Sequence, residues 1–124
     1  MSSRQAPHGD TPDNIRTNPA LRGKNIPKTG QPATSGVGLL VTKTLVIMGD
    51  PQVTTTPEHP RGAMLRAYDK RTGKEVGAVY IAAPQTGSPM TYMVDGKQYI
   101  VVAISSIAGA NSYSGEYLAF SLPN

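Results

Sequence analysis

Few groups in this chain could do chemistry, and they are scattered. His8 and His59 stand in Pro-rich stretches, with no cysteine in the chain and no second histidine at metal-ligand spacing. Solvated loop histidines are therefore the better reading than a metal centre. Two isolated histidines also provide no Ser-His-Asp arrangement. Asp10-Thr11-Pro12-Asp13-Asn14 has the oxygen donors of a calcium loop but lacks its central Gly and terminal Glu, which leaves a capped turn. Asp69 could act as a general base, yet in Asp69-Lys70-Arg71-Thr72-Gly73 the Asp and Gly are what a tight turn uses for side-chain capping and positive φ. Gly36-Val37-Gly38 opens like a dinucleotide loop, but no third glycine and no helix follow, so it reads as a tight entry into a strand.

The elements that must position these residues are bounded by composition. A chain of 124 residues fits one domain, and its 38% apolar content comes without Trp and with a single Phe, so Val, Ile, Leu, Met and Tyr must build the core. The formal charge of +4 is weighted toward Arg4, Arg16, Arg22, Lys24 and Lys28, with no face of clustered cations and stacking aromatics, which argues against a nucleic-acid partner. No apolar run approaches the length of a membrane span, and Met1–Asp10 has no signal-peptide core.

Residues 1–36 show neither period and repeated X-Pro pairs, which predicts an irregular arm, disordered on its own. From residue 37 the pattern is β. Leu39–Thr42 and Thr44–Met48 read as adjacent strands ending at Gly49-Asp50-Pro51, and a polar loop over Gln52–Gly62 leads to Met64–Tyr68 and, after the turn, Glu75–Ile81. Pro89–Val94 meets Lys97–Ile104 across Asp95-Gly96, the strongest hairpin signal in the chain, and Glu116–Ser121 makes one more strand. No segment keeps helical spacing.

The two β units overlay, Val41 on Val94 and Leu65–Tyr68 on Tyr117–Phe120. A period near 50 with up to four strands per unit is a propeller signature, and the unbroken apolar runs Leu45–Met48 and Tyr99–Ile104 predict strands covered on both faces. The expected fold is thus all-β: about two blades, one four-stranded over 37–82 and one incomplete and three-stranded over 88–124. Such an assembly leaves edges and apolar faces open, so the chain reads as a piece of a ring whose partners are the remaining blades or a second copy. Thr34, Ser35 and Gly36, at an inner-strand entrance, are candidate cofactor-side residues of that ring.

Leu65–Glu75, Gly87–Val102, Gly9–Asn14, Asn18–Leu21, Leu40–Leu45 and Tyr117–Pro123 closely resemble the carboxy-terminal blades of the pyrroloquinoline-quinone (PQQ)-dependent glucose and alcohol dehydrogenases. The resemblance implies an eight-bladed propeller with PQQ on its axis, a Ca²⁺-type ion beside it and a carboxylate base. In that scheme a sugar or alcohol hydroxyl is oxidised and electrons pass to a respiratory acceptor, on the periplasmic side or the outer face of the inner membrane. The cofactor ligands and the base would lie upstream, so neither PQQ nor Ca²⁺ is expected to bind this chain alone and it is expected to be inactive in isolation. The family's blade-docking motif falls on Ala67, Asp69, Thr72, Gly73 and Lys74; its inter-blade Trp falls on Gly77, with Tyr80 the nearest aromatic. The Gly-Gly-His of glucose-oxidising relatives is replaced by Ser105-Ser106-Ile107-Ala108-Gly109, which departs from a glucose site. The rival reading is a non-catalytic β-module that pairs through its open sheet edge.

Overall fold

From residue 40 onward, turn chemistry and β-branched runs produce the eight strands found among the described residues. The computed structural model describes residues 5–32, 37–105 and 115–123. The first sheet holds β1 (Leu40–Val41), β2 (Leu45–Gly49), β3 (Thr54–Thr56), β4 (His59–Asp69) and β5 (Glu75–Ile81), all antiparallel. The long β4 organises it, pairing β2 in the register Ile47↔Ala67, β3 at Thr54↔Gly62 and β5 at Leu65↔Val79. The second sheet is β6 (Gln85–Val94), β7 (Lys97–Ile104) and β8 (Glu116–Ser121) in that order.

Two turns follow directly from their residues. Asp95 and Gly96 take φ of 50° and 76°, positive at both central positions as a two-residue hairpin loop with the strands' own twist requires. At the other hairpin Asp69 Oδ1 accepts hydrogen bonds from the Arg71 and Thr72 amides at 2.8 and 2.9 Å, and Gly73 takes φ 74°.

The core lies between the two sheets. Ile47, Ala63, Leu65, Ile81 and Ala83 face Ile100, Val102 and Ile104, all buried, with Leu45, Ala67, Leu118 and Phe120 packed around them. The expectation that β2 and β7 are covered on both faces is not met: β7 buries Ile100, Val102 and Ile104, while the alternate Tyr99, Val101 and Ala103 are only partly covered. Among the described residues the second sheet has one neighbouring layer, so only one of its faces is sealed, while the arm rather than a further sheet meets the other face of the first. Gln85 fastens the junction from inside, its amide nitrogen donating to the Gly38 and Gly87 carbonyls at 2.6 and 2.7 Å and its oxygen accepting from the Gly49 amide.

Three further differences concern the proline-rich half. A single helical turn, α1 (Asp13–Arg16), forms where none is expected, followed by a 3₁₀ turn at Pro19–Leu21 capped by Asn18 Oδ1 on the Ala20 amide. Pro at the head of each turn supplies a suitable φ without wasting a backbone donor. The predicted loop Gln52–Gly62 contains β3 and the first residues of β4, because its threonines suit a strand once β4 offers an edge. The arm is also not free: His8 and Asp10 bond to Tyr68, Gly49 and His59 of the first sheet, and the Gln31 amide closes the arm on itself by donating to the His8 carbonyl at 2.7 Å.

Candidate functional site

The largest concentration of charge inside the molecule lies where the arm meets the first sheet. β4 carries Arg66, 4% exposed, and the chain after β2 carries Asp50, fully buried. A guanidinium and a carboxylate enclosed this far must be paired, and they are paired bidentately: Arg66 Nε to Asp50 Oδ1 at 2.6 Å and Nη2 to Oδ2 at 2.9 Å. Arg66 Nη1 donates to Glu75 Oε1 at 3.0 Å, and Nη2 also reaches Asp10 Oδ2 at 3.1 Å. Burial alone would favour the neutral guanidine, but the bonds and charges of Asp50, Glu75 and Asp10 outweigh it and hold Arg66 more firmly protonated than usual.

His59, at the start of β4, extends this network to the arm. Its Nε2 lies 2.7 Å from Asp10 Oδ2 and its Nδ1 2.7 Å from the Pro60 carbonyl oxygen. Burial would lower its pKa; the Asp10 bond, the Pro60 carbonyl and the Asp10 and Asp50 charges together raise it above the ordinary histidine value. Asp10 is the mirror case. Burial would raise it, but the His59 bond and the charges of Arg66, His59 and Lys28 bring it below the usual carboxylate range. Thr54 donates to the same Asp10 oxygen at 3.3 Å.

His8 sits beside this network in a different way. Nδ1 meets the Tyr68 hydroxyl at 2.7 Å and Nε2 meets the Gly49 carbonyl at 3.0 Å. Burial and the nearby Glu75 charge push the Tyr68 phenol up to about 12. The reading of both histidines as solvated loop residues is thus corrected: His59 is 7% exposed and both rings are bonded to the sheet. A single sequence cannot show this, because the partners are 41 and 49 residues away.

The other sequence candidates fall elsewhere. Thr34, Ser35 and Gly36 lie outside the described residues. Asp13, from the calcium-like run, accepts from the Thr55 amide at 3.2 Å and pairs with Arg16, which also donates to the Thr55 carbonyl. Asp69 is spent on its turn, and the Thr72 and Arg71 amides keep its carboxylate below the usual range. Of the blade-docking set, Ala67 packs against the core, Asp69, Thr72 and Gly73 form the turn, and Tyr80 lies over Gly62 with its hydroxyl donating to the Arg61 carbonyl at 2.9 Å. Arg66, Asp50 and Gln85 were missed by sequence reasoning. An Arg inside an otherwise apolar strand, Met64-Leu65-Arg66-Ala67-Tyr68, was the available signal.

Chemically, this arrangement is closed. Four of the five Arg66 N–H donors are spent on Asp50, Glu75 and Asp10, and among the described residues no group of three His, Cys, Asp or Glu side chains is placed to hold a metal ion. The buried residues therefore do not fit a quinone carboxylate or a divalent cation, and what they do is tie three segments together. A second feature is an apolar cavity of about 300 Å³ between the sheets, lined by Leu45, Ile47, Gly77, Val79, Ile100 and Phe120 among others.

Comparison with known proteins gives the family context. A family model described as "PQQ: Glucose/ethanol/alcohol dehydrogenase, beta-propeller domain" matches residues 3–100. Quinoprotein glucose dehydrogenase A of Acinetobacter calcoaceticus is 34% identical over 61 residues, 48% of this chain and 8% of the relative, and quinoprotein glucose dehydrogenase of Escherichia coli (strain K12) matches equally. A 1-butanol dehydrogenase (cytochrome c) of Thauera butanivorans is 43% identical over 42 residues, 34% of this chain and 6% of the relative. The matched stretch thus spans less than a tenth of the length of each of these relatives. No solved structure gives a significant match.

Proposed function

We propose, because this chain belongs to the PQQ-dependent glucose/ethanol/alcohol dehydrogenase β-propeller family, that it supplies carboxy-terminal blades to a larger propeller and is inactive by itself. The chemistry that PQQ would supply in an intact ring is that of a hydride acceptor for the oxidation of a hydroxyl-bearing carbon. This chain contributes walls to that ring. The proposed substrate class is a sugar or alcohol hydroxyl, with electrons leaving to a respiratory acceptor on the periplasmic side. Among the described residues no helix is long and apolar enough to cross a membrane.

One observation carries the reading: the outer face of the second sheet is apolar and uncovered. Met90 is 53% exposed, Val94 47% and Tyr117 81%, and they share that face with the stacked rings of Tyr92 and Tyr99, 5.2 Å apart. A sheet sealed on one face by apolar packing and equally apolar on the other is built to be sandwiched. The same feature permits the rival reading, in which β8, an edge strand of its sheet among the described residues, pairs with another strand of a non-catalytic assembly.

The test adds PQQ and Ca²⁺ to the purified chain with a dye acceptor and glucose or 1-butanol. No dye reduction is expected, and reduction by the chain alone refutes the proposal. Light scattering separates the rival, since a discrete oligomer of fixed stoichiometry supports the edge-pairing module and aggregation supports missing blades.

A further inference from the structure

We propose that residues 8–31 form a latch on the first sheet that closes when His59 is protonated and opens when it is not. Hydrogen-bond geometry carries the inference. Both ring nitrogens of His59 face acceptors at 2.7 Å, Asp10 Oδ2 on one side and the Pro60 carbonyl on the other. A neutral imidazole has one donor and one lone pair, so whichever tautomer forms, a lone pair points at an oxygen. Only the imidazolium donates to both. His8 is the internal contrast, since its partners are a hydroxyl, which can donate, and a carbonyl, which accepts, and a neutral ring satisfies the pair.

Charge agrees with geometry. Asp10 from the arm, Asp50 after β2 and Glu75 at the start of β5 face Arg66 on β4 and Lys28 from the arm, 3.7 Å from Glu75. Apart from His8, whose Nε2 lies 3.9 Å from Asp50 Oδ1, these groups leave one negative charge, and protonated His59 cancels it. The remaining surroundings of His59 are uncharged: Thr54 from β3 and the Tyr80 ring from β5, with centroids 6.1 Å apart.

Little apolar burial holds the arm in reserve: among the described residues before Leu40, Pro12 is buried and Ile15 and Leu21 are half-buried. Among the described residues no side chain before Leu40 belongs to the hydrophobic core or packs against it. Its links to the sheet are polar: His8 to Tyr68 and Gly49, Asp10 to His59, Arg66 and Thr54, Asp13 to Thr55, Lys28 to Glu75 and Gln31 to the Gln52 amide. Docking that takes up one proton weakens by about tenfold per pH unit as pH rises between the undocked and docked pKa of His59, and levels off beyond.

The chain has no cysteine, so a nitroxide on Asn25→Cys, an exposed arm position, reports the latch in the otherwise intact protein. From about pH 5 to about pH 8 the spectrum is expected to pass from immobile to mobile, with its midpoint on that of the His59 ring resonance. Only two histidines are present, so the resonances are assigned by substitution. His8→Gln should keep the transition and His59→Gln should abolish it. A label already mobile at the acid end overturns the latch, as does one that stays immobile while His59 titrates. So does a transition that persists in His59→Gln.

Discussion

Two junctions hold this molecule together, and they are built from opposite materials. The arm meets the first sheet through charges and hydrogen bonds, with Asp10, Asp50, His59, Arg66 and Glu75 at its centre. The first sheet meets the second through Ile47, Leu65, Ile81, Ile100, Val102 and Ile104. Apolar burial is non-directional and roughly proportional to area, so the sheet–sheet junction tolerates small shifts and ignores protonation. The ionic junction is directional, and it is worth having only while every partner is present. The same chain thus carries one contact that is permanent and one whose strength depends on conditions.

The largest expected effect tests that dependence. Arg66→Met leaves Asp50, fully buried, without its bidentate partner, and a stranded buried charge costs about 3–5 kcal/mol. Urea unfolding should show a loss of that order. The double variant Arg66→Met with Asp50→Asn should recover much of it, because the cost lies in the unpaired charge more than in the lost attraction. If the double variant is as unstable as the single one, packing by the Arg66 stem is the larger contribution and the ionic account of this junction fails.

Next comes the apolar side of the comparison. Ile81 is 1% exposed at the end of β5, and Ile81→Ala removes its methylenes from the shared core at a cost of about 2–5 kcal/mol. That loss should be the same at acid and neutral pH and in low and high salt. A loss that changes across the histidine range would mean that the two junctions are coupled, and their separation would have to be abandoned.

The β architecture was legible for reasons these junctions make plain. Asp95-Gly96 and Asp69–Gly73 announce their turns locally, and the strands between them follow from β-branched runs a few residues long. Internal repetition then supplied the blade reading. The ionic junction was illegible because each of its bonds spans from 9 to 49 residues of sequence and joins residue types that are ordinary on a surface. Arm docking and α1 were hidden for the same reason, since the arm has no apolar period and its partners lie far along the chain, in β2, β3, β4 and β5.

The smallest effect concerns a weak spot in the apolar junction. Gly77 lines the cavity of about 300 Å³ between the sheets, and a Cβ built there would meet nothing within 4 Å. Its φ is not in the left-handed region, so an L side chain needs no backbone adjustment. Glycine inside a strand costs about 0.5–1 kcal/mol relative to alanine through the freedom it gives the unfolded chain, and Gly77→Ala should return a gain of that size. A larger apolar residue should add to the gain by covering Val79 and Phe120, which line the same space. Gly77→Trp tests whether the cavity has room for a large aromatic ring. A rise in the urea midpoint from Gly to Ala to Trp supports this. A fall at Trp would mean that the sheets are held at a spacing the indole cannot enter, and the gap would then belong to the strand register rather than to the missing side chain.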